Sequence, residues 1–144
     1  MDLSKILSIN GKPGLYELKK ERKNGIIVKS LLDDRNQFIA LRNNLFSSLE
    51  GIEVYSVNLG ETKKLPEVFQ DMLRLENEGI GTPDVKQLTN DEVRAYFTQV
   101  WKDHDPEQVY ISHIKKIVKW YDLLSAKNLV DLEPPKTEEN DEEE

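Results

Sequence analysis

The sequence predicts an α+β fold: a small antiparallel SH3-like β-barrel over residues 1–60, a three-helix part over 61–131 and a disordered acidic tail over 132–144. Three features carry that expectation. Short runs rich in Ile, Val, Leu, Tyr and Phe, each bounded by turn residues, fill the first part. From Leu65 apolar residues recur at i, i+3, i+4, i+7 and i+8, the period of an amphipathic helix. From Glu133 to Glu144 seven acids stand against Lys136 alone, and the only apolar residues are Pro134 and Pro135. Such a segment buries too little surface to order itself.

The strand-like runs are Leu15 to Lys19, Gly25 to Leu32, Gln37 to Leu41 and Ile52 to Val57. Asn10-Gly-Lys-Pro-Gly14 reads as a tight turn leading into the first of them. Asn24-Gly25 tolerates the two positive φ angles of a type I′ turn and should close one hairpin, and Asp33-Asp34-Arg35-Asn36 should close the next. Ser47 to Gly51 looks like one helical turn stopped by glycine, after which Ile52 to Val57 returns as the last strand. Lys5 to Ile9 fits either an extra strand or a first helical turn.

The first helix carries Leu65, Val68, Phe69, Met72 and Leu73 on one face, with Pro66 in its first turn and Gly79 as a C-cap. Glu78 to Asp84, with two glycines and Pro83, is a linker. Thr89-Asn-Asp-Glu92 is a capping box, so a second helix begins there with Val93, Tyr96, Phe97, Val100 and Trp101 on its apolar face. Ser112 is the expected N-cap of a third helix, whose face is Ile114, Ile117, Val118, Tyr121 and Leu124, with Asn128 near its end.

With 144 residues, 38% of them hydrophobic, the chain has material for one ordinary domain or two very small ones. Its net charge of −7 is concentrated in the tail, which leaves the first 132 residues close to neutral. The absence of cysteine excludes disulfides, thiolate metal sites and cysteine nucleophiles. No apolar run approaches the roughly 18 residues of a membrane span, and the first fifteen residues contain no signal-peptide core. A cytoplasmic protein with no membrane partner is expected.

The strings LSKILSINGKPGLY, from Leu3 to Tyr16, and VYISHIKKIVKWY, from Val109 to Tyr121, resemble a family of small Bacteroidetes proteins known only as domains of unknown function. The resemblance spans roughly residues 2–125 in the order of motifs. It implies a bacterial origin and a two-part build and brings no catalytic residue with it. It also implies an acidic residue at the position that His113 holds here.

The chemistry offered by single motifs is sparse. Gly11-Lys-Pro-Gly14 is no phosphate loop, because Pro13 removes an amide and a strand, not a helix, follows. Asp103-His104-Asp105 supplies metal-type donors, but neighbours on a turn rarely converge on one ion, and a solvated loop is expected. His113 has no nucleophile partner, since no Gly-x-Ser-x-Gly occurs. Asp33-Asp34 and Glu67/Asp71 lack the apolar surroundings that would raise a carboxyl pKa. No cofactor and no catalytic or metal-binding residue is expected.

Candidate binding residues are the hairpin cations Lys19, Lys20, Arg22 and Lys23, and the aromatics Trp101 and Trp120. Each tryptophan lies at the flank of its helical stripe, about 80° from Val93 and about 120° from Ile114 at 100° per residue. Lys115, Lys116 and Lys119 map to the polar arc of the third helix and read as a solvated face. The function expected is a non-enzymatic cytoplasmic interaction module with a protein partner. The alternative is an RNA- or ribosome-associated factor that binds through the basic hairpin.

Overall fold

The computed structural model describes residues 1–42 and 44–133, so the predicted acidic tail lies, from Pro134 to Glu144, outside the described residues. Five antiparallel strands form the main sheet: β1 (Ile6–Ile9), β2 (Tyr16–Glu21), β3 (Gly25–Ser30), β4 (Asn36–Ala40) and β5 (Phe46–Ser48). Their order is β4-β3-β2-β1-β5. The ambiguous Lys5 to Ile9 stretch is therefore a strand, paired with β2 on one side and β5 on the other.

The sheet does not close into the expected SH3-like barrel. β4 and β5 are its two edges and do not pair with each other. The Ile52 to Val57 run forms β6 (Glu53–Tyr55), which pairs with β7 (Thr62–Lys64) in a separate two-stranded sheet. A hairpin partner seven to eleven residues downstream thus takes up the backbone groups of β6. Nothing in Thr62-Lys63-Lys64 alternates apolar with polar, which is why β7 is invisible to periodicity. The helical turn is shorter than expected, Leu49–Gly51, because Phe46 to Ser48 extends against β1. Ser48 caps it, its Oγ accepting from the Glu50 amide at 3.3 Å.

The hairpin between β2 and β3 closes by a different route from the one expected. Among the described residues positive φ occurs at Gly11, Gly14, Asp34, Gly60, Gly79 and Asn128, and not at Asn24 or Gly25. Gly25 is required by crowding instead, since a Cβ there would overlap the Ile39 carbonyl oxygen on β4.

The helices are α1 (Leu65–Asn77), α2 (Asn90–Val100) and α3 (Ile111–Ala126). Their predicted faces are buried except for Leu73 and Trp101, which are half-buried against the same core, Trp101 as the C-cap of α2. The capping box at α2 is present: Thr89 Oγ1 accepts from the Glu92 amide at 3.2 Å and Glu92 Oε1 from the Thr89 amide at 2.9 Å. The N-cap of α3 is Tyr110 and not Ser112, because the Tyr110 carbonyl already accepts from the amides of His113 and Ile114 at 2.9 and 3.0 Å. Asn128 ends the helix at a positive φ of 59°.

Two apolar clusters result. Leu7, Ile9, Tyr16, Ile26, Val28 and Ile39 pack on one another within the sheet. The larger cluster joins Leu3, Leu15, Leu31 and Leu49 to Phe69, Phe97, Tyr121 and the rest of the helical faces. Because sheet and helices share this second core, they should unfold together. Residues 1–60 expressed alone should lack the sharp thermal transition of the full chain in circular dichroism. A fragment melting at the same temperature as the full chain would contradict the shared core.

Candidate functional site

α3 presents two faces. Ile114, Ile117, Val118, Tyr121 and Leu124 turn into the core, so Ser112, Lys115, Lys119, Leu123 and Ala126, three or four residues apart, share the opposite side. That side faces the loop between β1 and β2 across an open groove of about 840 Å³. Lys12 and Pro13 enter from the loop, Leu32 from the turn after β3, and Lys115, Lys116, Lys119 and Trp120 from the helix.

Several contacts hold the walls. The Tyr16 hydroxyl donates to the Pro13 carbonyl at 3.1 Å, and burial pushes the Tyr16 pKa up, with repulsion from Asp33 adding to it. Lys127 Nζ donates to Asp34 Oδ1 at 2.7 Å, tying the end of α3 to the β3–β4 turn. That hydrogen bond, with the charge of Lys127 and of Lys29, keeps the Asp34 carboxyl below the usual aspartate range. Asp122, the one acid on the groove lining among the described residues, is held by Thr82, whose Oγ1 donates to its Oδ1 at 2.6 Å.

The groove is therefore short of negative charge. Among the described residues, Lys12, Lys115, Lys116 and Lys119 make no ion pair, and the one contact of this kind is Lys116 Nζ at 5.8 Å from the Trp120 ring centroid. Trp120 is half-buried and also lines a smaller cavity of about 270 Å³ between α3 and β6, where His113, Gln108 and Tyr55 lie. Its ring and Lys116 are common to both spaces.

The predicted binding residues are not brought together. Lys19, Lys20, Arg22 and Lys23 are exposed around the β2–β3 hairpin tip, where Lys19 Nζ lies 3.3 Å from Glu17 Oε1. Trp101 ends α2, packs against the main core and has Lys63 Nζ 4.9 Å from its ring centroid. Trp120 alone of the six reaches the groove. The α3 lysines, expected to be a solvated face, line it instead. They were missed because Lys12 stands more than a hundred residues away in sequence, and no local pattern links the two.

His104 is buried at 4% exposure and does not lie in the solvated loop expected for it. Its Nδ1 is 2.8 Å from the Trp101 carbonyl, its ring meets Phe97 edge-on at 4.8 Å, and Nε2 has no hydrogen-bond partner among the described residues. Asp105 makes a turn, accepting from the Glu107 amide at 2.9 Å. No group of three or more metal-donor side chains converges among the described residues.

An open sheet with a cationic groove between a glycine-bounded loop and the last helix defines this molecule as a small α+β protein. Residues 52–124 match the family model described as Domain of unknown function (DUF6852), and the chain belongs to that family. Residues 3–49 match a second model, Domain of unknown function (DUF5606). The two stretches meet at the Leu49–Gly51 turn. A solution NMR structure from Bacteroides vulgatus is similar at 33% identity and a TM-score of 0.69, over 90% of this chain and 89% of that one. The resemblance to an uncharacterised Bacteroidetes family holds. Comparison with curated proteins gives no match. Among the described residues no helix is long and apolar enough to cross a membrane.

Proposed function

We propose that the chain is a non-enzymatic interaction module of the cytoplasm and that its groove takes an acidic segment of a protein partner. The observation that supports this reading is the set of four groove lysines without a carboxylate among the described residues, arranged beside the half-buried Trp120. Exposed ion pairs contribute about 0.2–1 kcal/mol each. A few of them with a contact on Trp120 give an affinity on the order of 0.1–1 mM.

Trp101→Phe leaves Trp120 as the sole tryptophan and a reporter of the groove. Titration with polyglutamate should change its fluorescence, and Lys115→Glu with Lys119→Glu should abolish the change. A signal unaffected by those two substitutions refutes the groove.

The second reading, RNA binding through the hairpin, is favoured by one observation: Lys20, Arg22 and Lys23 are exposed and without ion pairs among the described residues. Glu21 and Glu17 weaken the positive field there. RNA retention at about 150 mM salt should therefore be low and should not change when Lys19, Lys20, Arg22 and Lys23 become Ser. Tight, salt-sensitive retention lost in that variant would promote this reading over the first.

A further inference from the structure

The groove wants a polyanion, and the chain carries one. Six acids, Glu138, Glu139, Asp141, Glu142, Glu143 and Glu144, follow Pro134 and Pro135. Glu133, where the described residues end, is fastened to α1, since Gln70 Nε2 donates to the carbonyls of Asp131 and Glu133 at 3.1 and 3.0 Å. Ala126, on the groove lining, precedes it by seven residues, so Glu133 lies within about 25 Å of that edge. The eleven residues from Pro134 to Glu144 span up to about 36–40 Å when extended, which exceeds that distance and brings the acids after Lys136 within reach of the groove.

We infer that the segment Pro134 to Glu144 occupies this groove in cis, its carboxylates matching the charge of Lys12, Lys115, Lys116 and Lys119. The inference rests on the proposed acidic-segment site and names its resident competitor. A tethered segment meets the groove at an effective concentration on the order of millimolar, so contacts too weak to hold a free peptide hold this one. A partner's acidic segment must then displace it, and its apparent affinity falls by the fraction of grooves left open. The hairpin cations Lys19 to Lys23 are the competing destination, but Glu21 lies among them and Glu17 beside Lys19, whereas Asp122, the one acid of the groove among the described residues, is engaged by Thr82.

The chain has no cysteine, so Asp141→Cys in the full-length protein gives a single attachment point for a nitroxide label. Paramagnetic broadening of amide signals then reads where the segment lies. At about 20 mM salt, signals from Gly11 to Gly14 and from Lys115 to Leu123 should be lost. They should return at about 0.5 M, where the Debye length is roughly fivefold shorter. Lys115→Gln with Lys119→Gln should restore them at low salt, while Lys19→Gln with Lys20→Gln should not. Broadening confined to the Lys19–Lys23 hairpin, or no localised broadening, overturns the inference. So does broadening transferred to an unlabelled, isotope-enriched copy mixed with the labelled chain, which means occupation by a second molecule. Polyglutamate binding in the Trp120 assay would leave the proposed function standing in each of those cases.

Discussion

Phe69→Ala should lower the stability of the whole molecule by about 3–5 kcal/mol, the cost of emptying a large aromatic site in a packed core. Phe69 is fully buried, and its ring centroid lies 6.2 Å from that of Tyr121 on the facing helix. The cluster around it includes Leu3, Leu15, Leu31 and Leu49, so the cavity opens where the sheet and the helices meet. For a chain of this size the melting temperature should fall by an amount on the order of 10–20 °C. Sheet and helix signals should fall together in thermal denaturation. Leu59→Ala is the control, because that side chain is fully exposed and should change stability by less than about 0.5 kcal/mol. A loss below about 1 kcal/mol at Phe69 would show that the helical faces do not form the core described.

The second large effect is at Gly25. Where there is room and φ is ordinary, Gly→Ala stabilises by about 0.4–1 kcal/mol, because alanine restricts the unfolded chain. At Gly25 the sign should reverse. A Cβ would overlap the Ile39 carbonyl oxygen, come within 2.7 Å of Phe38 Cζ and reach 3.0 Å from the Ala40 Cα, and two of these three are backbone atoms of β4. Gly25→Ala should therefore cost about 1–3 kcal/mol, as overpacking does. Gly25→Asn, which a left-handed turn would accept, should be at least as damaging. Gly51, with no atom within 4 Å of its would-be Cβ and no positive φ, should tolerate alanine without loss. Urea denaturation of the three variants checks this. A tolerated Asn with a damaging Ala at Gly25 would restore the turn explanation over the steric one.

The Gly25 case shows how far local patterns reach. Asn24-Gly25 marks a hairpin correctly between β2 and β3, yet the reason the glycine is needed comes from β4, a strand that lies beside it only after folding. The core-facing stripes of the helices were legible because a buried stripe leaves a 3.6-residue period in the sequence, whereas the cap of α3 at Tyr110 and the end of α2 before Trp101 were not. β7 left no such trace, since Thr62, Lys63 and Lys64 are held by pairing with Tyr55, Val54 and Glu53 and not by burial. The site was less legible than the fold. Trp120 was identifiable as a flank aromatic, but His104 sits in a polar Asp103-His104-Asp105 string and is buried with its ring edge-on to Phe97 and its Nδ1 at the Trp101 carbonyl.

By itself the sequence determined the α+β class, the three helical faces, the capping box at Thr89, the absence of thiol chemistry and the concentration of negative charge after residue 132. These are properties of composition and of short-range period, and they survive whatever the chain packs against. The tertiary structure alone decided that the sheet stays open, because β6 pairs with β7 in a sheet of its own and leaves β4 and β5 as edges. It also decided that Lys12 faces Lys115, Lys116, Lys119 and Trp120. A groove is a relation between segments a hundred residues apart, and periodicity within either segment carries no information about the other.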